Sequence, residues 1–177
     1  MTHDAAARPH LPDPSTAPEL FDGLLTRRAT AYIIDVILMS FLVLAISVVG
    51  AILGFFTFGL AWVSLVFAVP AAIIVYYAAT LGSARRATVG MQMMDIVLTP
   101  TRNAPLDGWR ALLHPLLFWV TCWILPPFSY LVALFTPRRQ MIHDYVLGTL
   151  MVRRSPMELH WRSMPGRGFD MYPTHEA

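Results

Sequence analysis

The chain has 177 residues, 56% of them apolar and only 14% charged, with a formal net charge of +2. That balance is too apolar for an ordinary soluble domain, and a slight excess of arginine with no lysine does not make a nucleic-acid surface. A single cysteine, Cys122, excludes an internal disulfide and a cysteine-based zinc site.

Met1–Leu20 is rich in Pro, Ala, His and Asp and has no apolar run, so a disordered surface segment without a secretory signal peptide is expected there. From Ala29 to Gly82 the only charge is Asp35. As one helix this stretch would be roughly 80 Å long, more than twice the hydrocarbon thickness of a bilayer, so it must fold back once. The break is predicted at Gly54–Gly59, where GFFTFG supplies two glycines and interfacial aromatics. The spans are then about 29–53 and 60–81. Arg27 and Arg28 precede the first and Arg85 and Arg86 follow the second, which puts the N-terminus in the cytoplasm by the positive-inside rule. Gly50 and Gly54 form a GxxxG pair that permits close helix approach, within the hairpin or to a second protomer.

In the following loop, MQMMDIVLTP reads as a short strand ending in the Pro100–Pro105 turn region, with a return strand after it. Its expected partner is Gly148–Val152, with Met93–Leu98 as the paired stretch. A third hydrophobic segment, about 111–136, is broken by Pro126 and Pro127. Each half is too short to cross the hydrocarbon core, which favours a re-entrant pair over a single kinked span. The fold class is therefore an all-α membrane protein: a transmembrane hairpin, a third hydrophobic segment and a small cytoplasmic β-strand pairing. The membrane domain covers 21–154, and 155–177 is a polar C-terminal tail broken by prolines.

Three blocks stand in order along the chain: TRRATAYIID, ATVGMQMMDIVLT and RRQMIHDYVLGTLMV. With Arg28, Ala31 and Asp35 in the first, Thr88 and Gly90 in the second, and His143, Asp144, Gly148, Thr149 and Val152 in the third, the chain resembles the RDD family of small bacterial membrane proteins. One departure is Gln92, near where the family often has a lysine. The resemblance implies a multi-pass protein of the bacterial inner membrane and, for some members, exchange of sodium or other monovalent cations against protons.

Arg28, Tyr32 and Asp35 fall on one helical face, but a direct Arg28–Asp35 pair is strained because helical side chains lean toward the N-terminus. Two readings of Arg28, Asp35 and Asp144, with Tyr32 and Arg27 in support, stay open. They form either an ion and proton site, in which a buried carboxylate trades a proton for a cation, or a structural charge network. His114, Cys122 and His143 lack metal-site spacing, and His143 is beside Asp144 in sequence rather than on a shared helical face, so neither a metal nor a cofactor is expected. With no phosphate loop, no Ser-His-Asp pattern and no paired carboxylates, an enzyme is not expected. The expected partners are the lipid bilayer, monovalent cations and protons, and further copies of the chain. The rival to transport is a membrane adaptor or assembly factor.

Overall fold

The computed structural model describes residues 13–83, 85–101, 108–124 and 126–162. A helical hairpin forms its long axis: α1, Leu24–Phe56, and α2, Leu60–Leu81. Both are long and apolar enough to cross a membrane. The reversal falls in the predicted place. Phe58 (φ 52°) and Gly59 (φ 90°) take left-handed conformations, and Thr57 closes both helix ends, its hydroxyl donating to the Leu53 carbonyl and accepting from the Ala61 N–H. Gly50 and Gly54 are buried against α2, where a Cβ would run into the side chains of Leu65 and Trp62 respectively. The GxxxG pair therefore packs the hairpin itself.

The buried positions of α1 fall into two groups. Gly50 and Gly54 face α2 near the tip, while Leu24, Arg28, Ala31 and Asp35 form a stripe at helical spacing near the base. The shaft between exposes large apolar side chains such as Phe41 and, on α2, Phe67. The core lies at the base. There Leu24, Ala31 and Leu81 meet Met91, Ile96, Leu98, Leu150 and Val152.

Two strands build that base, β1 (Ile96–Pro100) and β2 (Thr149–Arg153), antiparallel and in register from Ile96 opposite Arg153 to Pro100 opposite Thr149. The pairing is the expected one, but its limits differ. Thr88 caps a short helix, α3 (Val89–Met93), by accepting the Met91 N–H, so Met91 and Met93 are helical rather than extended. Gly148 takes a left-handed conformation (φ 64°) at the preceding helix end and stays outside the strand. No return strand follows Pro105 among the described residues: residues 106 and 107 lie outside them, and from Gly108 the chain is helical.

Between the strands come α4 (Gly108–Ile124), α5 (Pro126–Phe135) and α6 (Ile142–Leu147). The third hydrophobic segment is thus two helices, the second opening on Pro126, where a missing N–H costs nothing. It leaves and returns to the same end of the hairpin: Pro100 pairs with Thr149, His114 of α4 stacks on His143 of α6, and Arg28 of α1 donates to the Arg139 carbonyl. A single kinked span is not what the segment adopts.

Both flanks extend further into the fold than the sequence implies. Ala17 and Leu20, around a 3-10 turn at Pro18–Leu20, are buried in the core. After β2 the chain continues as α7 (Arg154–Arg162), with Met157 in the same core. Pro156 lies in its first turn, where it interrupts no helical hydrogen bond. Asp95 fixes this helix start by accepting the Ser155 N–H at 3.0 Å and the Ser155 hydroxyl at 2.6 Å, a carboxylate at the positive end of a helix.

Candidate functional site

The stripe on α1 carries two charges into the base, and each is met differently. Asp35 is buried at 5% exposure and holds three elements together. Its Oδ1 accepts the Tyr76 hydroxyl of α2 at 2.7 Å and the Gly90 N–H of α3 at 2.8 Å. Its Oδ2 accepts the Thr88 hydroxyl at 2.5 Å. These three donors are uncharged. Gly90 comes so close that a Cβ there would overlap the Ala31 carbonyl, which is why that position needs glycine.

Arg28 does not turn to Asp35. Its guanidinium donates to Asp144 Oδ2 at 2.7 Å and to the Arg139 carbonyl at 3.0 Å, in a pair with both side chains buried. The expected Arg28–Asp35–Asp144 chain is therefore two separate centres, and the physical reason is reach. Arg28 lies near the start of α1 and extends toward α6, while Asp35 is two turns further along, at the level of α3. Arg27 ties the loop instead, donating to the Met94 carbonyl at 2.9 Å. Tyr32 packs its ring against Phe118 and Trp119 of α4. Gln92, where the family often has lysine, accepts from Arg85 and donates to the Ala87 carbonyl, closing the 85–92 loop on itself.

Around Asp144 the structure assembles a group that the spacing did not suggest. Its Oδ2 also accepts the Met141 N–H at 2.9 Å, which saturates the oxygen bound by Arg28. Its Oδ1 faces His143 Nε2 at 3.5 Å and His114 Nε2 at 3.8 Å. Burial raises the Asp144 carboxyl, but the Arg28 charge, the two imidazoles and the Met141 amide outweigh it and hold the group below the ordinary aspartate range. For His143 burial dominates, with the Arg28 charge adding to it and Asp144 opposing, and the imidazole is pushed down to about 4. It is neutral at physiological pH.

A cavity of about 80 Å³ lies between the two centres, lined by Arg28, Asp35, His114, Phe118, His143 and Met151 among others. Asp35, Arg28 and both histidines thus look onto one space. Sequence reasoning missed Tyr76 and set His114 aside for its spacing. Each is a polar side chain inside an apolar run, the same signal that singled out Asp35. Thr88 and Gly90 stood in the sequence as motif positions without a role, and the geometry makes them the donors to Asp35.

The RDD family model matches residues 23–148, well over half of the chain and most of the described fold, leaving out the 3-10 turn at Pro18–Leu20, β2 and α7. Comparison with curated proteins and with solved structures gives no match. The matched region holds Arg28, Asp35 and Asp144 together with the hairpin, so the chain belongs to the RDD family.

Proposed function

We propose that this RDD protein is a multi-pass protein of the bacterial inner membrane, its hairpin crossing the bilayer and its base in the cytoplasm, and that Asp35 exchanges a proton for a monovalent cation. The observation that carries the reading is the uneven neutralisation of the two buried carboxylates. Asp144 has Arg28, whereas the bonds to Asp35 come from neutral hydroxyls and an amide beside a cavity. A buried anion without a fixed counter-charge is stabilised by a mobile one, a proton or a small cation. The arginines at the base, among them Arg27, Arg85, Arg138 and Arg154, support the cytoplasmic placement. A hairpin and a re-entrant pair enclose little volume, so the pathway belongs to a homo-oligomer. No enzymatic step and no nucleic-acid partner form part of this reading.

A second reading, a non-transporting adaptor or assembly factor, is favoured by one feature: the donors to Asp35 come from two other elements and clamp them to α1. Flux separates the two. In proteoliposomes the transport reading expects sodium- or potassium-dependent proton movement that Asp35→Asn abolishes and Asp35→Glu retains in part with a shifted pH dependence. A folded, inserted wild-type protein with no cation-dependent proton flux across a range of pH would leave only the adaptor.

A further inference from the structure

We propose that His114, His143 and Asp144 form a site for a borderline divalent transition-metal ion of the Zn²⁺ type. The three residues come from α4 and α6, are all buried, and bring one ligand atom each to within 4.8 Å of the others. Two of the separations, 3.5 and 3.8 Å from Asp144 Oδ1 to the imidazole nitrogens, are close to the edge of roughly 3.4 Å in a tetrahedral site with bonds near 2.1 Å. The remaining separation, no more than 4.8 Å, would shorten on binding.

The hydrogen bonding leaves the ligand atoms free. Asp144 Oδ2 is occupied by Arg28 and the Met141 N–H, which orients the carboxylate and points Oδ1 at the histidines. Asp144 Oδ1 and both ring nitrogens of His143 are buried with no hydrogen-bond partner among the described residues. Orphaned polar atoms at this depth are costly, and the two that face each other, His143 Nε2 and Asp144 Oδ1 at 3.5 Å, call for a shared occupant. His114 is prepared as well. Its Nδ1 lies 3.4 Å from the Thr149 hydroxyl, an outer contact able to accept an Nδ1–H, and in that tautomer the lone pair is on Nε2.

The donor set selects the ion. Two neutral imidazoles and one free carboxylate oxygen suit Zn²⁺ and its neighbours, whereas Ca²⁺ and Mg²⁺ need a larger shell of oxygens. The cavity beside the rings supplies room for a fourth ligand. The site is separate from the cation chemistry assigned to Asp35, and the two stand or fall independently.

The test uses the untagged full chain in detergent, stripped with a chelator, titrated with Zn²⁺ by calorimetry and with Co²⁺ by visible absorption. One ion per chain is expected, with the intense d–d bands of tetrahedral Co²⁺ displaced by Zn²⁺. The remaining histidines, His3, His10, His160 and His175, provide the control. Their joint replacement by Gln is expected to change affinity less than threefold, while His114→Gln with His143→Gln weakens it at least 100-fold at unchanged helical content and elution volume. Absence of tetrahedral bands in the wild type, loss of them in the terminal-histidine variant, or binding retained by the folded His114→Gln/His143→Gln chain would each overturn the site. Should that double variant fail to fold, the spectrum of the terminal-histidine variant decides alone.

Discussion

At the scale of single residues, the buried Arg28–Asp144 pair makes the sharpest demand on the fold. Removing one member leaves the other charge uncompensated in the interior, a loss of about 3–5 kcal/mol, whereas replacing both by apolar residues of similar volume is often close to neutral. Asp144→Asn is therefore expected to lower the thermal midpoint in detergent more than Arg28→Met with Asp144→Leu does. An equal or larger loss in the double variant would show that the pair is net stabilising. His143 gives the pH dependence. Its folded pKa of about 4 lies below the unfolded value of about 6.5, so between these limits the unfolded chain holds a proton that the folded chain excludes. Its contribution is complete above about pH 6.5 and declines as the pH falls toward 4. The midpoint of metal-free protein should drop from pH 7.5 to 5, and His143→Gln should make that drop smaller.

At the scale of elements, the tightest junction is α3 against α1. Gly90→Ala would drive a methyl group into the Ala31 carbonyl, backbone that cannot swing aside, and would lengthen the Gly90 N–H bond to Asp35. A destabilisation of about 1–3 kcal/mol is expected, read as a lower denaturation midpoint. The loss should be the same in the Asp35→Asn background if the methyl clash alone matters, and smaller if the weakened bond to the carboxylate contributes. How far these elements could be read from the sequence follows from the range of the forces that form them. The hairpin was legible because hydropathy and the GFFTFG turn are local, as was the reversal after Ile124 because proline acts on its own backbone. The limits of β1 were set by Thr88, whose cap turned an apparent strand into α3, and a capping hydroxyl cannot be told from a surface one before its partners are known. The two polar centres depend on residues far apart in the chain. Asp35 announced itself as a charge in an apolar run and Asp144 as a motif position, but the choice of Arg28 for Asp144, and the meeting of His114 with His143, arise only once α4 and α5 double back.

For the molecule as a whole, the position of Asp35 sets the depth of the hairpin. From Val36 to the tip, α1 rises roughly 30 Å, and α2 is of similar length, so the apolar shaft alone matches a bilayer core. With the base placed in the cytoplasm as proposed, Asp35 would stand at the inner edge of the membrane rather than at its centre. In a Cys122→Ser background, Glu19→Cys and Leu159→Cys should both resist a membrane-impermeant maleimide in intact cells and react in inverted vesicles, while Phe58→Cys at the tip behaves oppositely. Labelling of Leu159→Cys from outside would refute the common side of the two chain ends. The same long-range pairing has a consequence for synthesis. Arg28 leaves the ribosome 116 residues ahead of Asp144, and β1 must wait for β2 on the far side of α4, α5 and α6. Until α6 and β2 are made the base is therefore unfinished, with Arg28 lacking Asp144 and the edge of β1 open. A chain cut short before Ile142 would hold the hairpin and β1 without the residues that neutralise Arg28 and pair the strand, and so keep an open base.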